Sequence, residues 1–399
     1  MQKGIKDRVA IIGTGCTKFG EIWEKDAEDL LVEAVYEACN EAHIDLRKEV
    51  EAVWIGTNYD FSGTSGAAFA DPLKFYGKPV TRVENYCATG MDAVRNAAYA
   101  VAAGMYDVVL ACGVEKVLDQ GSTGLPDLDL MLYHHPTIVG VSMPALFATL
   151  AVRSFKEWGW TREDLARVAV KNHHHGAKHP KAHFRREIDI NTALKAPMVA
   201  YPLGLFDCCA MSDGAAAVVL TRPEIARERV GEGNYATIKA MGLAVETAHP
   251  FYRPDWTGLS LQANVEAGQA AYKEAGITSP RKELDFGIVH DCFTIHELLT
   301  YQDLGLCNTG EAADLIREGV TSIEGEFPIN PDGGLKCFGH PIGATGARMV
   351  VELTRQVLGR AEGYQVKDAK AGFAHNLGGP FTVAMVTIVG MPDWEPGGK

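Results

Sequence analysis

The chain has 399 residues, 47% of them hydrophobic and 22% charged, with a formal net charge of −13. That length suits two ordinary domains or one large two-halved unit with a sizeable core. The acidic balance makes nucleic acid and anionic membrane surfaces poor partners, and no apolar run nears the ~18 residues of a spanning helix.

The opening residues, Met-Gln-Lys-Gly-Ile-Lys-Asp-Arg, lead straight into Val9-Ala10-Ile11-Ile12-Gly13, an apolar run closed by glycine that reads as a buried strand. No signal peptide is expected there, and the final Pro-Gly-Gly-Lys carries no peroxisomal tripeptide. Gly13-x-Gly15 lacks the spacing and acidic partner of a dinucleotide site and reads as a turn. An amphipathic helix is expected from Asp26 to Ala42, a strand from Val50 to Gly56 and another from Asp107 to Gly113. Between those strands lies Val83-Glu84-Asn85-Tyr86-Cys87-Ala88-Thr89-Gly90-Met91-Asp92-Ala93, which opens a small-residue helix running to about Ala103. A cysteine at a helix start meets unpaired N–H groups and the positive end of the helix dipole, which favour thiolate. Ala88 and Gly90 leave room for close approach to the sulfur. Strand and helix alternating in this rhythm imply α/β layering with buried parallel strands.

From about Glu115 to Met211 the rhythm breaks into an insertion of helices (Ala145 to Trp158, and Arg162 to His174 after a Thr161 cap with Asp164) and Pro- and His-rich pieces. A core strand resumes at Asp213 to Leu220. After about Asn234 the alternation recurs without the insertion: strand Tyr235 to Val245, helix Gln262 to Ala275, strand Phe286 to Val289, helix Thr294 to Gly305, helix Gly343 to Leu358, and strands Gly372 to His375 and Thr382 to Gly390. The expected organisation is two similar halves, residues 1–233 with the loop insertion at about 115–211, and residues 234–399. The nine cysteines form an odd set without Cys-x-x-Cys spacing, which fits a reducing, cytoplasmic compartment.

Three stretches of the second half carry chemistry: His290-Asp291-Cys292-Phe293 at a strand end, the glycine-rich Gly333 to Gly346 with Gly339-His340-Pro341, and Ala374-His375-Asn376-Leu377-Gly378-Gly379-Pro380. Strand-end loops of layered α/β folds gather in one crevice, so His290, Cys292, His340 and Asn376 are expected to converge on Cys87.

This set, with Ser212 to Ala217, resembles the landmarks of the thiolase superfamily across essentially the whole chain. The His290-Asp291-Cys292-Phe293 stretch, where most biosynthetic and degradative thiolases have Asn-Glu-Ala-Phe, resembles the sterol-carrier-protein type and its prokaryotic relatives. The resemblance implies a five-layered α-β-α-β-α fold. It implies Cys87 as acyl-carrying nucleophile, His340 as its base, His290 and His340 as one oxyanion hole, and the N–H groups of Cys87 and Gly378 as a second. It also implies coenzyme A as cosubstrate without a tightly bound cofactor, and a homodimer or dimer of dimers. The chain departs from the family where a second cysteine is usual: the Cys-x-Gly loop reads Asn376-Leu377-Gly378. An amide cannot shuttle a proton at neutral pH; the resemblance to sterol-carrier-protein-type thiolases, in which the cysteine of this motif takes that part, implies Cys292 as the acid, with Cys337 and His375 as alternatives.

Lys178, Lys181, Arg185 and Arg186 form a candidate patch for coenzyme A phosphates. A metal reading of the cluster His173, His174, His175, His179 and His183 is set aside, because the resembled family needs no metal. Cys208 and Cys209 read as core packing. Leu125 to Met143 and His249 to Trp256, with Tyr133, Phe251 and Trp256, are candidates for an acyl pocket favouring bulky or aromatic groups. The expected activity is thiolytic cleavage of a 3-oxoacyl-CoA or the reverse condensation. The alternatives are a ketoacyl-synthase-like condensing enzyme and a catalytically altered subunit that depends on a partner. Thiolases of this type are in some cases paired with a small zinc-ribbon and oligonucleotide-fold protein.

Overall fold

The computed structural model describes residues 4–60, 64–120, 142–248 and 250–397. Strands β1 (Ala10–Cys16), β2 (Ala52–Gly56), β3 (Val80–Val83), β4 (Val108–Glu115) and β7 (Gly214–Thr221) pair in one half. Strands β8 (Ala236–Val245), β9 (Phe286–Val289), β10 (Ala371–Gly378) and β11 (Val383–Gly390) pair in the other. The two sets join into one nine-stranded order, β3-β2-β4-β7-β1-β8-β11-β10-β9. The join is narrow, since β1 meets β8 only at Ala10↔Thr237 and Ile11↔Ala236. A short hairpin, β5 (Met198–Ala200) and β6 (Leu203–Gly204), stands apart.

The helices sort into layers by how much of their surface is apolar. Helix α1 (Ala27–Glu41) buries one face, Leu30, Leu31, Ala34, Val35 and Ala38, and covers β1 and β7 from outside. Its start is fixed by a capping box between Asp26 and Asp29. Helix α2 (Thr89–Ala102) is buried along its first turns, and α8 (Ile342–Val357) along its whole length. A helix buried all round belongs inside the fold: α8 packs on α2 and touches β4, β7 and β1 of one half and β10 and β11 of the other. Helix α5 (Gln262–Ala275) covers β8 and β11 on the far side. The sequence α1, sheet, α2 with α8, sheet, α5 is the five-layered α-β-α-β-α arrangement.

Glycine sets the spacing of the central layer. A Cβ on Gly90 would fall 2.4 Å from the Gly343 carbonyl oxygen, and one on Gly113 would fall 2.1 Å from that same atom. Nothing larger than hydrogen fits at this crossing.

The insertion between β4 and β7 carries α3 (Met143–Trp158) and α4 (Arg162–Gly176), the latter with the expected Thr161–Asp164 capping box. The expectation of parallel strands needs correction. Strand β2 runs parallel to β3 and β4, and β9 to β10, but β7 is antiparallel to both β1 and β4. Strand β11 is antiparallel to its neighbours β10 and β8. The short connection Gly379–Thr382 makes β10 and β11 a hairpin, and β7 follows the long insertion rather than a single crossover helix, which leaves it free to pair antiparallel. No helix among the described residues is long and apolar enough to cross a membrane.

Candidate active site

Cys87 sits on a sharp turn before α2. Tyr86 occupies the left-handed region at φ 50°, and Thr89 clamps the turn by accepting from Asn85 N–H at 2.7 Å and donating to the Tyr86 carbonyl at 2.5 Å. A non-glycine residue held at positive φ is strained and persists only where its surroundings over-determine it. The Gly378–Gly379 turn presses on this loop: a Cβ on Gly379 would lie 3.0 Å from the Tyr86 ring, and one on Gly378 2.9 Å from the Asn85 carbonyl oxygen.

The expected low thiol pKa is overturned. Burial pushes the Cys87 thiol up to about 12, opposed by the N–H groups of Gly379 and of Cys87 itself, with Glu115 and Glu84 adding to the rise. Cys87 lies two residues ahead of the first helical residue, Thr89, so desolvation outweighs the dipole. A resting thiol of this kind needs a base.

His340 has the features of one. It stands three residues before Gly343, as Cys87 stands three before Gly90, and those glycines touch at the α2–α8 crossing. Thr345 donates its single hydroxyl proton to the Pro341 carbonyl at 2.8 Å. Its oxygen therefore accepts from His340 Nδ1, 2.7 Å away. Burial first, then the Arg348 charge, lowers the His340 pKa to about 3, so the ring is neutral. With the ring's one proton on Nδ1, Nε2 is a bare acceptor, buried and without a hydrogen-bond partner. The sequence carries this signal in the Thr that follows Gly-His-Pro-Ile-Gly-Ala, whose role only the fold reveals.

His290 faces His340, ring centroids 5.0 Å apart and planes at 89°. The Asn376 side chain meets His290 Nδ1 at 2.8 Å. Asp291 points the other way, accepting from the N–H groups of Leu335 at 2.6 Å and Lys336 at 3.1 Å and from Asn172 at 2.8 Å. It thereby ties the His290 strand end to α7 (Gly334–Phe338), directly ahead of His340. Burial, then the charges of Cys209 and Cys87, raise the Cys292 thiol well above its ordinary value. The sulfurs of Cys87, Cys209 and Cys292 thus lie within electrostatic reach of one another, and Cys292 remains protonated at neutral pH. Cys209, expected to be mere packing, also donates its N–H to the Cys292 carbonyl at 2.8 Å.

The alternatives for the acid are turned elsewhere. Cys337 bonds the Asn172 carbonyl at 3.2 Å beneath Gly176. His375 alternates with Asn376 along β10 and bonds Asn264 of α5 at 2.8 Å.

Of the candidate phosphate cations, Lys181 is committed to Glu37 at 2.6 Å and Glu362 at 3.3 Å. Lys178 lies over the Tyr364 ring at 4.3 Å, while Arg185 and Arg186 are exposed. The histidine cluster disperses into separate contacts: His173 with the Arg186 carbonyl, His175 with the Asn330 carbonyl, His174 with Glu187 and His183 with Ser212. His179 faces Glu352 at 3.6 Å. Among the acyl-pocket candidates, Tyr133, His249 and residues 125–141 lie outside the described residues. Trp256 stacks on Phe381 at 5.7 Å, Phe381 meets Phe147 at 4.9 Å, and Phe147 stacks on Phe293 at 4.4 Å. Phe251 pairs with Tyr252 instead, at 5.0 Å.

The family model described as "Thiolase, N-terminal domain" matches residues 9–224, and "Thiolase C-terminal domain-like" matches residues 242–391. The chain is 37% identical over 384 residues to an acetyl-CoA acetyltransferase of Methanothermobacter thermautotrophicus, covering 95% of this chain and 98% of that one. It is 33% identical over 383 residues to the benzoylsuccinyl-CoA thiolase subunit BbsB of Thauera aromatica, covering 94% and 96%. Human sterol carrier protein 2 is 31% identical over 401 residues, covering 97% of this chain and 73% of that protein. Among solved structures, the Ltp2-ChsH2(DUF35) aldolase superposes with a TM-score of 0.84 at 26% identity, covering 98% of this chain and 99% of that one.

Proposed function

Because this chain belongs to the thiolase family and is an acyltransferase of that kind, we propose that it cleaves a 3-oxoacyl-CoA with coenzyme A, or runs the reverse Claisen condensation, through an acyl group carried on Cys87. The observation that carries this reading is His340: a neutral ring whose proton is held at Nδ1 by Thr345 and whose Nε2 is bare, buried and without a hydrogen-bond partner, on a loop whose Gly343 meets Gly90 of the Cys87 helix.

In the cleavage direction His340 Nε2 takes the Cys87 proton, and the sulfur attacks the 3-keto carbon. The developing alkoxide is held by the N–H groups of Cys87 and Gly378, with that of Gly379 nearest the resting sulfur. When the C2–C3 bond breaks, the electron pair passes to the thioester oxygen of the departing acetyl-CoA enolate, which faces His290 and protonated His340. Cys292 gives that enolate its proton at C2. Coenzyme A then surrenders its thiol proton to Cys292 and attacks the acyl thioester, and the Cys87 sulfur takes back the proton from His340. Burial keeps Cys292 in the acid form this sequence requires.

Incubation with an acyl-CoA followed by intact-mass measurement is the test. One acyl adduct is expected, absent in Cys87→Ala; an adduct surviving that substitution overturns the reading.

A second reading, dependence on a partner subunit for holding coenzyme A, is favoured by the commitment of Lys181 to Glu37 and Glu362 and by the likeness to a structure named for two components. Turnover by the isolated chain compared with the chain plus its genomic neighbour tests it.

A further inference from the structure

We propose that Asn376 is a positioning residue that fixes the tautomer of His290: its Nδ2 donates to His290 Nδ1 at 2.8 Å, which leaves the ring proton on Nε2. The inference rests on the reading of His290 as the donor to the enolate oxygen, and adds the group that makes it a donor.

The orientation of the amide decides the matter, because a flipped amide would accept from Nδ1–H and strip the proton from Nε2. The helix beside it sets the orientation: Asn376 Oδ1 lies against the first turn of α2, where the ideal Cβ position on Gly346 is 2.5 Å from that oxygen and 2.3 Å from the Met91 nitrogen. The start of a helix carries positive potential, which holds an oxygen there and repels an amide NH2. With the oxygen facing the helix, the nitrogen faces His290.

The ring must also be neutral for a single proton to be directed. Burial, then His340, His296, His375 and Arg348, hold the His290 pKa well below its ordinary value. The two facing imidazoles are therefore in opposite tautomers: His340 has Nδ1–H and a bare Nε2, while His290 has a bare Nδ1 and Nε2–H. One accepts the Cys87 proton and the other donates to an oxyanion. If both rings held the same tautomer, the site would lack either its base or its donor. An amide in the position of the family's usual second cysteine thus has a function of its own.

The experiment is side-chain nitrogen NMR on uniformly 15N-histidine-labelled full-length protein, with the His290 signals assigned by comparison with His290→Gln. The wild type is expected to show His290 with a bare Nδ1 and a protonated Nε2. Asn376→Asp, of nearly the same size, presents an acceptor and is expected to put a proton on Nδ1. Asn376→Ala is expected to mix the tautomers and lower kcat for thiolysis at least ~10-fold with KM unchanged, while Cys87 still takes an acyl group. A wild-type His290 signature in both variants overturns the proposal. A changed signature in Asn376→Ala with unchanged turnover upholds the tautomer lock and overturns instead the assignment of His290 as the enolate donor.

Discussion

Replacing Thr345 by Val removes one hydroxyl and nearly nothing else, which makes it the most direct probe of how the base is prepared. The hydroxyl stands between His340 Nδ1 at 2.7 Å and the Pro341 carbonyl at 2.8 Å, all of it buried. Without it, a neutral His340 that keeps its proton on Nδ1 leaves a buried donor unpaired, at a cost of about 1–3 kcal/mol. Nε2 has no hydrogen-bond partner either, so nothing then holds the proton on Nδ1, and the imidazolium formed on taking the Cys87 proton loses the oxygen that accepts from Nδ1. Losing that acceptor raises the acylation barrier by the same about 1–3 kcal/mol, which converts to a rate loss of about 5- to 150-fold. Rapid quenching after mixing with an acyl-CoA, read as the growth of the Cys87 adduct by mass, measures that step apart from the rest of the cycle. Thr345→Val acylating at the wild-type rate, in protein with an unchanged unfolding midpoint, would refute the assignment of Thr345.

Cys292→Ser is expected to accept an acyl group on Cys87 but to lose thiolytic turnover by about 10²–10⁴-fold, the usual range for removing a placed acid; full turnover in that variant with loss in Cys337→Ser or His375→Ala would move the acid. Acylation should show no inflection near 6.5, because a His340 pKa lowered to about 3 keeps the ring in its base form as the pH falls from 8 to 5.5; an acid limb at 6 to 7 in that rate would contradict this. Gly90→Ala should lower the urea midpoint by the equivalent of about 1–3 kcal/mol, since its Cβ would fall 2.4 Å from the Gly343 oxygen. Light scattering should report at least twice the 43.1 kDa of one chain; a particle of one chain's mass at micromolar concentration would contradict the oligomer implied by the family.

The parts of this molecule visible in its sequence are those that local chemistry dictates. The amphipathic helix after Asp26, the capping box at Thr161, the strand Phe286–Val289 and the helix Gln262–Ala275 follow from spacing and composition alone. Strand β3, Val80–Val83, escapes such reading because it is a short, half-exposed edge without alternation. Cys87, His290, His340 and Cys292 stand out in the sequence because the stretches that carry them resemble thiolase landmarks. The roles of Thr345 and Asn376 are not, since each depends on which neighbour a side chain meets across distant elements: Asn376 reaches His290 from 86 positions away. The low thiol pKa expected at Cys87 gives way for the same reason. A helix start is written in the sequence, whereas the desolvation that overrides it is a property of the assembled core. Lys181 illustrates the converse, a free cation on paper that the fold neutralises with two carboxylates.

The contact of Gly90 and Gly113 with the Gly343 carbonyl bears on how this protein can be altered. No side chain lies at that crossing to be trimmed or enlarged, so the spacing of the two helix-start loops has no adjustable part, and a single substitution there can only break it. Phe147, Phe293, Phe381 and Trp256, the candidates for the acyl pocket, meet one another ring to ring instead, so a search for a new acyl group has side chains to change there. A library of large-to-small changes at those four positions leaves the backbone crossing untouched, and clones that lose one substrate retain an intact nucleophile and base with which to accept another.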